Sequence, residues 1–224
     1  MQYWEKYQIE EKLIGVNYTP GRIEVQRVVL HTPEGGGKKN DLYSWFNNPQ
    51  VEASTHYSTG FGGQVYRYVR DYNTAWSTGI GDQNRKTISI ECADNGNSSD
   101  IKRTDKLYDS TGWLVARIIY KNKPNNKKVK FAKDGMSGTG DVILHRQIAT
   151  DGRTCPGGLD HMRVIRIAND YLSIWRAEEP VTPPDPVDPP TNPNYATKED
   201  IEGLQLQIDG IKEIQQEISN ILDN

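Results

Sequence analysis

The sequence predicts an α/β fold in which helices pack against a β-sheet. Short apolar, β-branched runs typical of strands alternate along the chain with longer segments whose apolar residues recur at helical spacing. Interleaved strands and helices are typical of a sheet covered by helices. The 224 residues are enough for one full-sized domain and an accessory segment.

Three strands are predicted from local patterns. Residues 25–31 read VQRVVLH, a β-branched apolar run typical of a buried strand. Residues 62–72 alternate apolar and charged side chains after a Gly-rich turn, as a half-exposed strand does. Residues 86–93 read KTISIECA, and their alternation separates an apolar face that includes Cys92 from a second face that includes Glu91. We therefore expect Cys92 to be a core residue.

Helices are predicted over 40–47, 104–122 and 160–176. In the last segment the side chains at helical spacing form one continuous face. These residues are Met162, Ile165, Ala168, Asn169 and Leu172.

A proline-rich segment divides the chain. Residues 179–195 contain seven prolines in seventeen positions, a composition that excludes a helix or a central strand and favours an extended spacer. The predicted organisation is a main domain at 1–178, a linker at 179–196 and a helical tail at 197–224.

The tail has the pattern of a short coiled coil. Thr197 and Asp200 resemble a capping box at its start. A helix of this length is marginal alone in water, so its apolar stripe needs a partner, and isoleucine at both core positions favours three or four strands. Docking of the helix on its own body is the alternative. The heptad positions are Ile201, Leu204, Ile208, Ile211, Ile218 and Leu222.

Charge is distributed unevenly along the chain. The net charge of −3 combines about −8 from residue 179 onward with about +5 in the body. A basic body suits an anionic polymer as its partner, although ordinary surface charge explains the same numbers. No stretch approaches the length of a membrane span, and no apolar signal segment follows the N-terminus. We expect synthesis in a cytoplasm without a signal peptide, no membrane insertion and no nucleic-acid partner.

Three residues with metal-binding chemistry follow strands or lie in a nearby loop. His31 and His145 each end an apolar run, and Cys155 lies in a Gly- and Pro-rich loop. A His₂Cys set leaves a fourth zinc position for water, as catalytic zinc sites do. Spacing alone leaves other interpretations of the thiol open: a buried bystander, a nucleophile, or half of a disulfide with Cys92. A disulfide is disfavoured in a protein made in a reducing cytoplasm.

Five sequence blocks, taken in order, resemble the amidase-2 family. They are VVLHTPEG, ASTHYSTGFGGQVYRYV, NTAWSTG, KTISIECA and LHRQIATDGRTCPGG. This family contains zinc-dependent N-acetylmuramoyl-L-alanine amidases, is related to peptidoglycan recognition proteins and includes many phage endolysins. The resemblance covers residues 10–175 and implies a central mixed β-sheet flanked by helices. It also implies one Zn²⁺ held by His31, His145 and Cys155.

The resemblance further assigns catalytic roles. Relatives use either a tyrosine, at the position of Thr55 here, or a glutamate at the end of the SIE strand, which is Glu91 here. The chain therefore resembles the glutamate type, with Glu91 as the group that transfers protons. Arg153 occupies the position of a family lysine that stabilises developing negative charge, although a planar guanidinium differs from a compact ammonium.

Three further residues are expected to contact or line the substrate cleft. His56 and Tyr57 lie in a block that the family shares, and Trp76 lies in another. A structural histidine is an equally good interpretation of His56. Ser77 stands where relatives often have histidine, so a substrate contact made by that histidine is lost or moved here.

The resemblance implies a peptidoglycan hydrolase. The bond cut would join the lactyl group of N-acetylmuramic acid to L-alanine, in a phage endolysin that acts on a Gram-positive cell wall after release from the cytoplasm. The partner is peptidoglycan, and residues 197–224 would form a homo-oligomer or bind a wall-binding partner. Two alternatives are a non-catalytic muropeptide-binding module and a cysteine peptidase with Cys155 as nucleophile.

Overall fold

A computed structural model describes residues 5–33, 42–94 and 103–177 of the chain. The predicted linker at 179–196 and the predicted coiled coil at 197–224 lie outside the described residues. No helix within the described ranges is both long and apolar enough to span a bilayer.

Six strands form one mixed sheet in the order β1-β5-β4-β7-β3-β8, and β2 pairs with β6 in a separate two-stranded ribbon. Within the large sheet only β4 and β5 run antiparallel to each other. The predicted mixed sheet is therefore confirmed. The strands are β1 (Ile9–Glu11), β2 (Tyr18–Thr19), β3 (Arg27–His31), β4 (Tyr57–Thr59), β5 (Val65–Arg67), β6 (Thr74–Ala75), β7 (Thr87–Cys92) and β8 (Val142–Leu144).

Within the described residues, two long α-helices and two single-turn α-helices accompany the sheet. The long helices match the predicted segments to within one residue, whereas the predicted helix at 40–47 is a single turn. Thr104 caps the first long helix, because its hydroxyl accepts a hydrogen bond from the Leu107 N–H at 3.2 Å. The helices are α1 (Tyr43–Phe46), α2 (Gly81–Asn84), α3 (Asp105–Asn122) and α4 (His161–Ala177).

The two faces of β3 and β7 have different surroundings. Ile88, Ile90 and Cys92 point into the main apolar core, which the long helices α3 and α4 complete. Val29 belongs to a smaller apolar cluster on the opposite face of the sheet. Cys92 is therefore a core residue, as its alternation pattern predicted, and the two cysteines form no disulfide with each other. His31 shares the face of Val29, because side chains two residues apart point to the same side.

Candidate metal centre and active-site cleft

Three neighbouring parallel strands end at one place on the sheet. His31 is the last residue of β3 and pairs in register with Glu91, near the end of β7. Leu30 pairs with Leu144, the last residue of β8, so His145 follows directly beside His31. Because the carboxyl ends of parallel strands meet at one edge of a sheet, residues distant in sequence come together there.

A cluster of three candidate metal ligands forms at this edge. His31, His145 and Cys155 each offer a ligand atom, and these atoms all lie within 4.8 Å of one another. The two imidazole rings have centroids 4.3 Å apart. All three side chains are buried. These are the three residues that the family resemblance predicted as zinc ligands and that sequence spacing allowed as one interpretation.

The backbone of the strand end holds the thiol of Cys155. The Thr32 N–H donates a hydrogen bond to the sulfur at 3.3 Å, which favours an electron-rich sulfur. The Cys155 carbonyl in turn accepts a hydrogen bond from the Arg146 N–H at 2.9 Å. The loop that carries Cys155 is therefore tied to the segment that carries His145.

Both cluster histidines are neutral at neutral pH. Burial, reinforced by the neighbouring His145 and Arg153, lowers the pKa of His31 well below its usual value. Burial, followed by the charge of Arg153, lowers the pKa of His145 to about 4. Among the described residues the Nε2 atoms of both rings have no hydrogen-bond partner. Neutral imidazoles with buried Nε2 atoms and a thiol fit Zn²⁺, which takes nitrogen and sulfur ligands and requires their deprotonated forms.

Glu91 lies directly beside this cluster. Its Oε1 atom is 4.0 Å from His31 Nδ1, and its side chain is 14% exposed. It lines the same cleft as the three candidate ligands. A partly buried carboxylate next to a metal set and open to the cleft is placed to accept and return a proton.

The cleft above the cluster has one polar end and one aromatic wall. Its volume is about 280 Å³, with the candidate ligands and Glu91 at the polar end. Trp45, Phe46 and Trp76 contribute the wall, and Trp45 is 54% exposed. Such a mixed cleft is typical of sites for small or extended ligands. The sequence predictions included Trp76 but not Trp45 or Phe46.

The family model of N-acetylmuramoyl-L-alanine amidase, Amidase_2, matches residues 21–158. The chain belongs to this amidase family. A curated relative, N-acetylmuramoyl-L-alanine amidase A of Achromobacter lyticus, is 36% identical over 88 residues. That match includes 37% of this chain and 48% of the relative, so it spans about half of the relative's length.

Solved structures share the amidase fold. A mutant endolysin from Bacillus subtilis has a TM-score of 0.53 at 18% identity, over 72% of this chain and 99% of that one. The Staphylococcus aureus hydrolase AmiA, solved in complex with its ligand, has a TM-score of 0.52 at 14% identity, over 76% of this chain and 85% of that one. The six-stranded mixed sheet and its helices are thus the fold of endolysin catalytic domains.

His56 is not among the residues that line the cleft. The ring is fully buried. Its Nδ1 accepts a hydrogen bond from the Ser89 N–H at 3.2 Å, and its Nε2 donates to the Asn73 carbonyl at 3.2 Å. Burial and the nearby Arg22 lower its pKa to about 3. These contacts correspond to the structural interpretation of His56, in which the ring joins β7 to the loop before β6.

Tyr57 is likewise a buried residue of the amidase fold. Its side chain is 2% exposed, and its ring packs in the main core. Its hydroxyl donates a hydrogen bond to Asp71, and burial and that carboxylate raise its pKa well above the usual value. The structure thus places neither His56 nor Tyr57 among the residues that line the cleft.

Arg153 does line the cleft. Its Nε donates to the carboxylate of Asp151 at 2.9 Å, and the pair lies at the exposed rim. The positive charge of Arg153 contributes to the low pKa of both His31 and His145, which shows that its field reaches the cluster.

Proposed function

We propose that the chain is a zinc-dependent amidase that cuts the amide bond between N-acetylmuramic acid and L-alanine in peptidoglycan. The observation that carries this proposal is the convergence of His31, His145 and Cys155 within 4.8 Å, beside Glu91, at the polar end of a cleft. Membership of the amidase family supports the choice of bond.

The three ligand residues would hold the metal through two imidazole nitrogens and one thiolate. Zn²⁺ bound there would polarise the amide carbonyl and lower the pKa of a water molecule in the site. His31 and His145 supply the neutral form that binds metal without first losing a proton. The Thr32 N–H at 3.3 Å favours the thiolate of Cys155.

Glu91 moves the proton in this proposal. Its carboxylate accepts a proton from the attacking water as oxygen adds to the carbonyl carbon of the lactyl group. It then donates that proton to the alanine nitrogen as the carbon–nitrogen bond breaks. The products are a lactyl carboxylate on the glycan and a peptide with a free N-terminal L-alanine. Arg153 at the rim offsets negative charge that develops on the carbonyl oxygen.

The biological setting is part of the proposal. A phage endolysin that acts on a Gram-positive wall agrees with the endolysin-like fold. The basic body suits a wall that carries anionic polymers, through electrostatic attraction.

Digestion of purified peptidoglycan tests the activity. We expect new amino groups that end-group analysis identifies as L-alanine, with glycan strands left intact. Binding to the wall without any new amino group would instead identify a muropeptide-binding module.

Inhibitors separate the amidase from a cysteine peptidase. A chelator should abolish hydrolysis, and added zinc should restore it. A peptidase with Cys155 as nucleophile would be inactivated by thiol alkylation and would continue to work in the chelator.

A further inference from the structure

Asn84, the last residue of α2, forms hydrogen bonds with the backbone of residues 77 and 78, which precede that helix. It is 6% exposed. Its Oδ1 accepts hydrogen bonds from the Ser77 N–H at 3.1 Å, the Thr78 N–H at 2.8 Å and the Thr78 hydroxyl at 2.9 Å. Because one oxygen binds two consecutive amides, residues 77 and 78 are held in a single orientation.

That orientation places the backbone of residues 77 and 78 beside His145, because Ser77 and His145 line the same cleft. The Thr78 backbone acts on the His145 imidazole as a hydrogen-bond acceptor. Its Nε2 is buried and has no hydrogen-bond partner among the described residues. An acceptor that holds the proton on one ring nitrogen leaves the lone pair on the other nitrogen, the arrangement that a metal-binding imidazole needs.

We propose that Asn84 is a positioning residue for the metal site: through the Thr78 carbonyl it fixes the tautomer and the ring orientation of His145. The inference rests on the proposed metal-binding function. In this proposal Asn84, which is far from the candidate ligands in sequence, touches neither metal nor substrate. It acts only through the backbone of residues 77 and 78.

Zinc affinity of the full chain tests the inference, measured by competition with a chelator. Asn84→Leu keeps the side-chain size and removes the acceptor, and we expect it to bind zinc about 10- to 100-fold more weakly. Asn84→Asp keeps an acceptor oxygen and should recover most of the affinity. In the metal-free protein, ¹⁵N shifts of the His145 ring should show a single tautomer in wild type and a mixture of the two in Asn84→Leu.

Asn169→Leu is the matched control. Asn169 also holds a loop through its amide, accepting from the Val129 N–H at 2.8 Å, but it lies on α4 and does not line the cleft. This variant should lose stability and keep wild-type zinc affinity. Equal losses of affinity in the two leucine variants, or none in Asn84→Leu, would overturn the inference. A wild type that binds no zinc would overturn the proposed function itself.

A separate observation concerns the opposite edge of the sheet. Residues 121–133 contain six lysines and no acidic residue. Lys127, Lys128 and Lys130 line a cavity of about 440 Å³ that also includes Asp141, the residue before β8. The cavity is therefore at the amino ends of the parallel strands, whereas the metal cluster lies at their carboxyl ends.

Asp141, the single acidic residue that lines this cavity, forms hydrogen bonds with the loop at 123–130. Asp141 is 3% exposed. Its carboxylate accepts hydrogen bonds from Lys123 Nζ at 2.9 Å, Asn126 Nδ2 at 2.7 Å and the Lys130 N–H at 2.9 Å. A buried carboxylate thus orders a loop whose outer lysines, 127, 128 and 130, are exposed.

We propose that this lysine surface binds the anionic, phosphodiester-linked polymers of the wall that the amidase digests. The proposal rests on the proposed function for the wall as target. Exposed ammonium groups and a neutralised carboxylate suit a chain of phosphates, and the surface leaves the cleft open because it occupies the other edge of the sheet. The surface would hold the enzyme near its substrate without contacting the scissile bond.

Sedimentation with insoluble walls at several salt concentrations tests this surface. Lys127→Gln with Lys128→Gln should weaken wall binding severalfold at low salt and flatten its salt dependence, because screening weakens exposed charge pairs. Arg85→Gln with Lys106→Gln removes the same charge from exposed positions elsewhere and should bind like wild type. Walls stripped of phosphate polymers should bind wild type as weakly as intact walls bind the lysine variant.

If wall binding weakened equally in both charge-matched variants, net charge alone would explain it and the proposed lysine surface would be wrong. Unchanged binding to stripped walls would also overturn it. Cleavage of small soluble muropeptides should be unaffected by the lysine variant, so a failed amidase assay remains distinguishable from a failed binding assay.

Discussion

Glu91 and His31 pair in register across two parallel strands, and their side chains approach to 4.0 Å. Glu91→Gln keeps the size of the side chain and removes its capacity to accept a proton. We expect the rate of amide hydrolysis to fall by about 10²- to 10⁴-fold. Zinc content should remain at the wild-type level, because Glu91 is not one of the three ligands.

Glu24→Gln controls for the loss of a carboxylate, since Glu24 is exposed and does not line the cleft. It should hydrolyse peptidoglycan like wild type. Wild-type activity in Glu91→Gln would refute the assigned proton-transfer role.

His56 makes stability depend on pH. The folded-state pKa of His56 is about 3, below its ordinary value. Between about pH 6.5 and 3, His56 is therefore protonated in the unfolded chain and neutral in the folded chain. The free energy of unfolding should therefore fall as the pH falls, by about 2 kcal/mol at pH 5 relative to pH 8 from this residue. Denaturant unfolding of metal-free wild type and of His56→Gln measures this effect. The difference in free energy of unfolding between the two proteins should shrink by the same amount from pH 8 to pH 5.

His161→Gln is the control for this pH series, because His161 is only partly buried and its pKa is lowered less severely. Its stability difference from wild type should change little with pH. Stability curves for wild type and His56→Gln that run parallel from pH 8 to pH 5 would contradict the account.

At the residue scale, the sequence could predict that His31 and His145 come together, because each lies at the end of an apolar strand and strand ends in α/β folds project into clefts. It predicted less about His56 and Tyr57, whose hydrogen-bond partners Ser89 and Asp71 come from other segments. Trp45 was missed because an exposed aromatic in a short helix has no local pattern that distinguishes a cleft from an ordinary surface.

The contact between helices α3 and α4 depends on Gly112. A Cβ added there would lie 2.5 Å from Ile167 Cγ2 and 3.2 Å from the backbone nitrogen of Ala168. Gly112→Ala should therefore lower the free energy of unfolding by about 1–3 kcal/mol, although alanine is the better helix former. Denaturant unfolding of the full chain is the measurement.

Gly81→Ala provides the comparison at the element scale. Gly81 begins α2, and nothing lies within 4 Å of a Cβ added there. The same substitution should leave stability unchanged or raise it by up to about 1 kcal/mol. A Gly112→Ala variant as stable as Gly81→Ala would show that the two helices can separate without cost.

The long elements were predictable and the short ones were not. Helices α3 and α4 have several turns of apolar spacing, and β3 and β7 are five and six residues long, so their periods are visible in the sequence. Strands β2 and β6 have two residues each, too few to show alternation. Their pairing depends on contacts between distant segments, which local propensity does not encode.

At the scale of the whole molecule, we propose that the predicted tail sets the oligomeric state. If residues 197–224 form a coiled coil, the full chain should sediment as a trimer or tetramer and a chain ending at residue 196 as a monomer. Multivalent attachment should then slow release from the polymeric wall. Identical monomer masses for both chains would rule out self-association and favour docking of the tail on the body or binding to another protein.

The central claim is that the cluster of His31, His145 and Cys155 holds the metal on which hydrolysis depends. Titration of metal-free protein with zinc, followed by the rate of L-alanine end-group release from purified peptidoglycan, tests it most directly. The account predicts no hydrolysis without zinc and a rate that rises to a break at one zinc per chain, with Cys155→Ser showing no such break. Full hydrolysis by the metal-free protein would contradict it.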